Sequence, residues 1–177
     1  SIDDVSVNEA AGTVTFTVTL DQPTTATVAV NYNTGDGTAT SGADYTANSG
    51  TLTFAPGVTT RTVTIDITDD AIFEGSENFS VLLSGAVNAS IADGSGVATI
   101  TDDDTPTMAV SSPSIGEGSF AVFTVSLSNA STTAVTFNPT LASGSATVGA
   151  DTGTALEFFN GTGWVAVPVG GVTIAAG

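Results

Sequence analysis

The sequence contains no cysteine, no histidine and no lysine, and its single basic residue is Arg61. Without cysteine there is no disulfide framework, no thiolate nucleophile and no zinc–thiolate site. Serine and threonine hydroxyls are abundant, but no histidine or lysine is available to activate them as nucleophiles. We therefore expect no nucleophilic catalysis of that kind, and we predict that this chain is not an enzyme.

Positive charge is almost absent as well. The 177 residues include 18 acidic residues against one basic residue, and the formal net charge is −17 at pH 7. Nucleic acids and anionic membrane surfaces select basic patches, so we expect neither as a partner. No apolar run approaches the ~18 residues of a spanning helix, so no membrane insertion is expected. The N-terminus does not have the pattern of a signal peptide, and an exported parent protein would carry its signal outside this segment.

Apolar and polar residues alternate with a period of two along most of the chain. Val14, Phe16, Val18 and Leu20 alternate with threonines, which is typical of a strand with one buried face. Similar runs lie at residues 5–7, 28–32, 52–54, 63–67, 79–83 and 97–100. Turn sequences, among them Gly35-Asp-Gly37, separate these runs. Seven short strands separated in this way predict an all-β fold, an immunoglobulin-like antiparallel sandwich of about 100 residues.

A second, incomplete copy of this pattern follows the first. Residues 121–127 repeat residues 14–20 with a shift of 107 positions, and residues 149–151 repeat residues 42–44 with the same shift. Asp104-Thr-Pro106 marks the boundary, because proline stiffens a short linker. The sequence therefore predicts two tandem sandwiches, a complete one over residues 1–104 and a partial one over residues 105–177.

An insertion distinguishes the second copy. Residues 171–177 repeat residues 51–57 with a shift of 120 positions, so thirteen residues have been added upstream. The turn sequence Asn160-Gly-Thr-Gly163, flanked by apolar residues, predicts a small hairpin near residues 155–168.

The acidic residues are concentrated in the first copy. Of the 18, all but Glu117, Asp151 and Glu157 precede residue 105. The densest stretch runs from Asp69 to Glu77 and includes no basic residue. Two like charges 4 Å apart repel by ~4 kcal/mol even at an effective dielectric of ~20. Such a loop either spreads into water as a solvated acidic turn or holds a cation.

Four separate segments carry carboxylates to one end of the predicted sandwich. Each connection of an antiparallel sandwich normally reverses the chain, so alternate loops share an end. The nine carboxylates at that end are Glu9, Asp44, Asp69, Asp70, Glu74, Glu77, Asp102, Asp103 and Asp104. Nine exceed the need of one Ca²⁺, which takes ~6–8 oxygen ligands, so we predict two or more Ca²⁺ ions with bridging carboxylates.

The motifs of residues 1–104 together resemble the Calx-β domain family. They are Val7-Asn-Glu9, Asp36-Gly-Thr-Ala39, Gly42-Ala-Asp-Tyr45, Gly50-Thr-Leu-Thr-Phe54, Asp69-Asp70 followed by Glu74 and Glu77, and Thr99-Ile-Thr-Asp-Asp-Asp104. The resemblance implies a seven-stranded sandwich that binds Ca²⁺ at its end loops through the same nine carboxylates, with the Ile72 carbonyl as a backbone ligand. The second copy resembles the family only through its third or fourth strand. Glu117 and Asp151 stand there in place of Glu9 and Asp44, the first displaced by one position.

The first functional hypothesis is a calcium-binding structural repeat of a large extracellular bacterial adhesin or cell-surface protein. In it, calcium stiffens the sandwich end and the junction to neighbouring repeats of the same polypeptide. The cysteine-free composition, rich in threonine, glycine and alanine, resembles such repeat arrays. An alternative is a Ca²⁺-sensing regulatory domain like those of sodium–calcium exchangers, which the near absence of basic residues disfavours.

Three further alternatives remain. Phe158, Phe159 and Trp164 on the inserted hairpin suit a carbohydrate-binding accessory module. Neighbouring subunits would supply the missing strands of the second copy if the chain were a strand-exchanging filament subunit. A glycosidase would use two of the carboxylates as acid and base, but a packed anionic cluster without an aromatic sugar platform is more typical of a metal site.

Overall fold

The computed structural model describes residues 1–177 and consists of strands with one three-residue 3₁₀ turn, Glu9–Ala11. The strands of the first copy are β1 (Val5–Asn8), β2 (Thr13–Thr19), β3 (Val28–Asp36), β4 (Ser49–Phe54), β5 (Thr60–Asp66), β6 (Ile72–Phe73), β7 (Glu77–Val87) and β8 (Ser95–Thr101). All seven predicted strands of this copy are present, and only the two-residue β6 was not predicted. The chain has no helix of the length and hydrophobicity that crossing a bilayer requires.

Two sheets form the first copy. Five strands make one sheet in the order β1-β8-β7-β3-β4, and β2 pairs with β5 in the other. Neighbouring strands are antiparallel except for β1 and β8, which run parallel. The antiparallel prediction is therefore confirmed for the hairpin pairs, and the first and last strands provide the exception.

The alternation of the sequence explains the core. In β2, Val14, Phe16 and Val18 are buried, whereas Thr15 lies outside and its hydroxyl is 3.0 Å from that of Thr64 on β5. Phe79 on β7 meets the Phe16 ring edge-on at a centroid distance of 6.1 Å. Burying an aromatic or aliphatic side chain of this kind stabilises the fold by about 1.5–3 kcal/mol. The opposed apolar faces therefore hold the two sheets together.

One predicted turn is wrong. Residues 35–37 carry a turn sequence, but β3 continues through Asp36, with Gly35 opposite Ser80 and Asp36 opposite Phe79. A Cβ atom at Gly37 would collide with the Asn78 main chain, so glycine is required there by the close passage of β7 rather than by a tight turn. Tertiary pairing has overridden the local signal.

Beyond the sandwich the strands are short. They are β9 (Met108–Val110), β10 (Val125–Leu127), β11 (Ala130–Ser131), β12 (Val135–Phe137), β13 (Glu157–Phe159), β14 (Trp164–Ala166) and β15 (Val172–Ile174). The chain divides into two compact units, residues 1–129 and 130–177. The domain limits 1–104 and 105–177 were inferred from the repeat rather than from compactness, and they stay a prediction.

The register of the second copy repeats that of the first. Val135 lies opposite Ile174 and Phe137 opposite Val172 in the β12–β15 pair. Val28 lies opposite Phe54 and Val30 opposite Leu52 in the β3–β4 pair. These pairings are related by the same shifts of 107 and 120 positions that the sequence shows. The predicted hairpin is also present, since β13 and β14 are antiparallel with residues 160–163 between them.

The predicted strand over residues 121–127 forms only at its end, as β10. Residues 121–124 are outside any strand and Phe123 is 52% exposed. In the first copy, the equivalent strand β2 pairs with β5 along its whole length. Residues 105–177 contain no counterpart of β5, so this part of the chain has no partner strand and the alternation alone does not produce a strand.

Candidate metal centre

Four segments bring carboxylates to one end of the sandwich, as the alternation of loops predicted. They are the 3₁₀ turn after β1, the β3–β4 connection, the β5–β7 connection and the residues after β8. Two groups of three carboxylates form there, and within each group the ligand atoms all lie within 4.8 Å of one another. The first group is Glu9, Asp69 and Asp104, and the second is Asp44, Glu74 and Glu77.

Glu9 is the buried member of the first group. The Asn8 side chain accepts the Ala10 amide at 3.0 Å, and Gly12 closes the turn in the left-handed conformation at φ 72°. This turn leaves the Glu9 side chain only 7% exposed, with Oε1 accepting the Asp70 amide at 3.1 Å. Burial raises the pKa of Glu9, and the carboxylates of Asp70, Asp102 and Asp104 raise it further, although the Asp70 amide opposes them. A buried anion without a positive partner is costly unless a cation accompanies it.

The second group joins two loops. Asp44 Oδ2 accepts the Thr40 amide at 2.6 Å. The Asp44 carbonyl accepts the amide of Thr68 at 2.9 Å, and Thr68 directly precedes the acidic loop, residues 69–77. Glu77 is the first residue of β7 and pairs with Ile100. Asp44 is therefore held by hydrogen bonds of the β3–β4 connection, and Glu77 by the pairing of β7 with β8.

The electrostatics of the second group show uncompensated negative charge. Burial raises the pKa of Glu77 to about 7, and the neighbouring carboxylates of Asp44 and Glu74 contribute. The pKa of Glu74 is also raised, first by burial and then by Asp44 and Asp70. Both shifts mean that the ionised form of these carboxyl groups is disfavoured, and a divalent cation beside them would favour it.

Asp102 was predicted as a ligand, and in the structure its carboxylate accepts main-chain amides. It accepts the amides of Glu74, of Gly75 at 2.9 Å and of Asp104 at 2.6 Å. Burial alone would raise the pKa of Asp102, but the three amides outweigh it and the pKa is lowered. Asp102 therefore ties the acidic loop to the segment that follows β8.

Three other predicted residues lie outside the two groups. Asp70 is next to Glu9, and its Oδ1 accepts the Ile72 amide at 2.7 Å. Asp103 is exposed. Burial of Asp104 raises the pKa of Asp104, and the nearby charge of Asp103 raises it further. Ile72 begins β6, and the role of its carbonyl stays a prediction. The structure thus brings six of the nine predicted carboxylates into close groups.

The donor set suits a hard divalent cation. Every side-chain donor is a carboxylate oxygen, the ligand type that Ca²⁺ prefers. Arg61, the one basic residue, lies in β5, where its Nε donates to the Thr53 carbonyl at 2.8 Å. Glu117, Asp151 and Glu157 belong to no such group.

Two residues beside the site were not predicted to serve it. The Tyr45 hydroxyl donates to Asp36 Oδ1 at 2.5 Å. Burial raises the pKa of Tyr45 to about 12, and the bond to Asp36 adds to the effect. Both residues belong to motifs that resemble the Calx-β family, Asp36-Gly-Thr-Ala39 and Gly42-Ala-Asp-Tyr45. Asp36 was interpreted as part of a turn and was not predicted to support the site.

The comparisons with known proteins agree on one family. The model of the Calx-beta domain family matches residues 2–105. Over 90 residues the chain is 42% identical to sodium/calcium exchanger 1 of Canis lupus familiaris and 40% identical to sodium/calcium exchanger 2 of Homo sapiens. Each match covers 50% of this chain but only 9% of the exchanger.

Solved structures resemble the same region. CBD12 from CALX1.2 has a TM-score of 0.55 at 30% identity, covering 58% of this chain and 42% of that one. The apo-form Calx CBD1 domain has a TM-score of 0.52 at 29% identity, covering 58% of this chain and 96% of that one. The calcium binding domain CBD12 of CALX1.1 has a TM-score of 0.54 at 29% identity, covering 59% and 45% of the two chains. The chain belongs to the Calx-beta domain family, and the predicted fold is confirmed.

Proposed function

We propose that residues 1–104 form a calcium-binding module that takes two or more Ca²⁺ ions. The observation that carries the proposal is the pair of three-carboxylate groups without a basic partner. The proposed ligands are Glu9, Asp44, Asp69, Asp70, the Ile72 carbonyl, Glu74, Glu77, Asp102, Asp103 and Asp104. One similar structure, the calcium binding domain CBD12 of CALX1.1, supports the same interpretation.

Calcium would act on stability through charge. Without the ion, partly buried carboxylates converge at one end of the sandwich. Burial first, and then the charges of neighbouring carboxylates, raise the pKa values of Glu9, Glu74 and Glu77. A ligand that binds only the folded state stabilises it by about 2.7 kcal/mol at a hundredfold excess over Kd. Ions held in part by Asp102, Asp103 and Asp104 would also stiffen the junction that these residues begin.

Thermal unfolding in calcium and in chelator tests the proposal. For a domain of this size, about 2.7 kcal/mol corresponds to a rise in Tm of roughly 10 °C or more. Glu74→Gln should reduce the rise, whereas Asp21→Asn, which removes an equal charge from an exposed residue outside both groups, should leave it intact. An identical Tm in calcium and chelator, together with no heat in a calcium titration, would rule the module out.

For the parent protein we propose an extracellular or cell-surface role as a structural repeat of an adhesin-like protein. The internal repeat and the cysteine-free, lysine-free composition support this role. Its partners would then be calcium ions and neighbouring repeats of the same polypeptide or neighbouring subunits. The module itself would perform no catalysis.

The second candidate is a Ca²⁺-sensing regulatory domain of an ion-exchanger type of protein. The specific support is the identity of 42% over 90 residues with a sodium/calcium exchanger. Affinity separates the two candidates, because an extracellular module saturates near millimolar calcium and a cytosolic sensor near micromolar. Calorimetric titration of residues 1–177 with Ca²⁺ measures which range applies.

The inserted hairpin gives less support to a carbohydrate-binding role. Phe159 and Trp164 are 56% and 54% exposed, but their rings meet at 60° with centroids 5.7 Å apart. Such an edge-to-face pair presents no single flat surface on which a sugar ring would stack. Loss of glycan binding in Trp164→Ala would revive this candidate.

A further inference from the structure

The hydroxyl of Tyr45 links the sandwich core to the loop that carries Asp44. Tyr45 is 1% exposed, and its ring stacks on Phe79 with centroids 4.1 Å apart and an interplanar angle of 11°. The hydroxyl donates to Asp36 Oδ1 at 2.5 Å. Asp36 ends β3 and lies opposite Phe79 in the sheet, so both partners of the bond are anchored to β7.

The same Asp36 oxygen holds the loop at a second point. Oδ1 also accepts the Ser41 amide at 2.9 Å, so one carboxylate oxygen fixes the loop on both sides of Asp44. Asp44 precedes Tyr45 directly, and its own Oδ2 accepts the Thr40 amide at 2.6 Å. The Asp44 carboxylate is therefore held in the loop through one oxygen, and the same carboxylate forms the group with Glu74 and Glu77.

The second copy shows that the turn itself does not need the tyrosine. There Asp151 Oδ2 accepts the Thr147 amide at 2.9 Å, and Ser143 Oγ accepts the Val148 amide at 3.0 Å. Thr152 occupies the position of Tyr45 and carries no ring. The aromatic link to the core is thus confined to the copy in which the aspartate faces two glutamates.

We propose that Tyr45 and Asp36 are positioning residues for calcium, holding the Asp44 carboxylate where an ion shared with Glu74 and Glu77 requires it. This inference rests on the proposed calcium-binding function. A ligand fixed before the ion arrives loses less conformational freedom on binding, so its preorganisation appears as affinity.

A double-mutant cycle in residues 1–177 tests the pair. Tyr45→Phe keeps the ring and leaves the charge unchanged, so a change in affinity reports position rather than electric field. We expect about a tenfold weaker Ca²⁺ affinity, the size of one lost hydrogen bond to a charged acceptor. In the Asp44→Asn background, Tyr45→Phe should have no further effect on affinity. Tyr32→Phe is the matched control. The Tyr32 hydroxyl donates to Asn48 Oδ1 at 3.4 Å, and neither residue belongs to the two carboxylate groups.

Each outcome decides the inference. Unchanged affinity in Tyr45→Phe, or an equal loss with and without Asp44, would reduce the tyrosine to a structural residue and overturn it. If Tyr45→Phe does not fold, Asp36→Asn enters the same cycle, with the same expected coupling to Asp44. A wild-type chain that takes up no calcium overturns the proposed function as well, whereas wild-type binding with no coupling overturns only the positioning role.

Discussion

The loops that carry Asp44 and Asp151 have the same backbone and different surroundings. In each, the aspartate carboxylate accepts the amide four residues earlier, from Thr40 or Thr147. Gly42 and Gly149 take left-handed φ angles of 92° and 89° at equivalent positions. The turn is the same in both copies because its hydrogen bonds are local.

The two aspartates differ in the residues that surround them. Asp44 lies within 4.8 Å of Glu74 and Glu77, which come from the β5–β7 connection and β7. Residues 105–177 contain no counterpart of these elements, and Asp151 joins no acidic group. A short motif is therefore sufficient for a turn, whereas a site requires elements that are distant in the sequence.

The largest expected difference between the two copies is in the stability that their core residues contribute. Phe16 and Phe123 are equivalent under the 107-residue shift, but Phe16 is 0% exposed and Phe123 is 52% exposed. Phe16→Ala should lower the free energy of unfolding by about 3–5 kcal/mol, because it leaves a cavity between the sheets. Phe123→Ala should change it by less than about 1 kcal/mol. Chemical denaturation followed by far-UV circular dichroism measures both, and equal losses would mean that the second copy is as well packed as the first.

Much of the fold was predictable because its signal is local. A period of two in residues 14–20 marks β2, and the two shifts that align the copies, 107 and 120 positions, predict the β12–β15 register. The prediction was wrong where tertiary pairing decides. Residues 121–124 alternate like a strand but have no partner strand equivalent to β5. Gly35 and Asp36 belong to a turn sequence but lie in β3, where they pair with β7.

The convergence of the carboxylates could be predicted from the sequence better than their grouping could. Alternation of loops selected the end at which the carboxylates meet. It did not show that Asp44 groups with Glu74 and Glu77 while Glu9 groups with Asp69 and Asp104. Nor did it show that Asp102 accepts three main-chain amides, because such bonds depend on loop conformations that residue types alone do not specify.

A smaller effect is expected from pH in the calcium-free protein. Burial and then the charges of Asp44 and Glu74 raise the pKa of Glu77 from 4.5 to about 7. A raised folded-state pKa contributes stability that is full below the unfolded pKa and is lost as pH rises through the folded one. The Tm of the first copy in chelator should therefore fall between pH 5 and pH 8, and Glu77→Gln should flatten this dependence. A Tm that rises over the same range in chelator would contradict the raised pKa.

The smallest effect compares the two aspartates directly. In chelator, Asp44→Asn removes one charge from a group of three carboxylates, and its amide oxygen can still accept the Thr40 amide. It should raise the Tm slightly, since the relief of repulsion exceeds the weakening of one hydrogen bond. Asp151→Asn retains the same type of bond to Thr147 but relieves no such repulsion, so it should lower the Tm slightly or leave it unchanged. Both changes should stay within about 1 kcal/mol, and differential scanning calorimetry of the full chain resolves their signs. The same sign at both positions would mean that the carboxylates facing Asp44 do not set its energetics, and that the two copies differ in sequence but not in electrostatic environment.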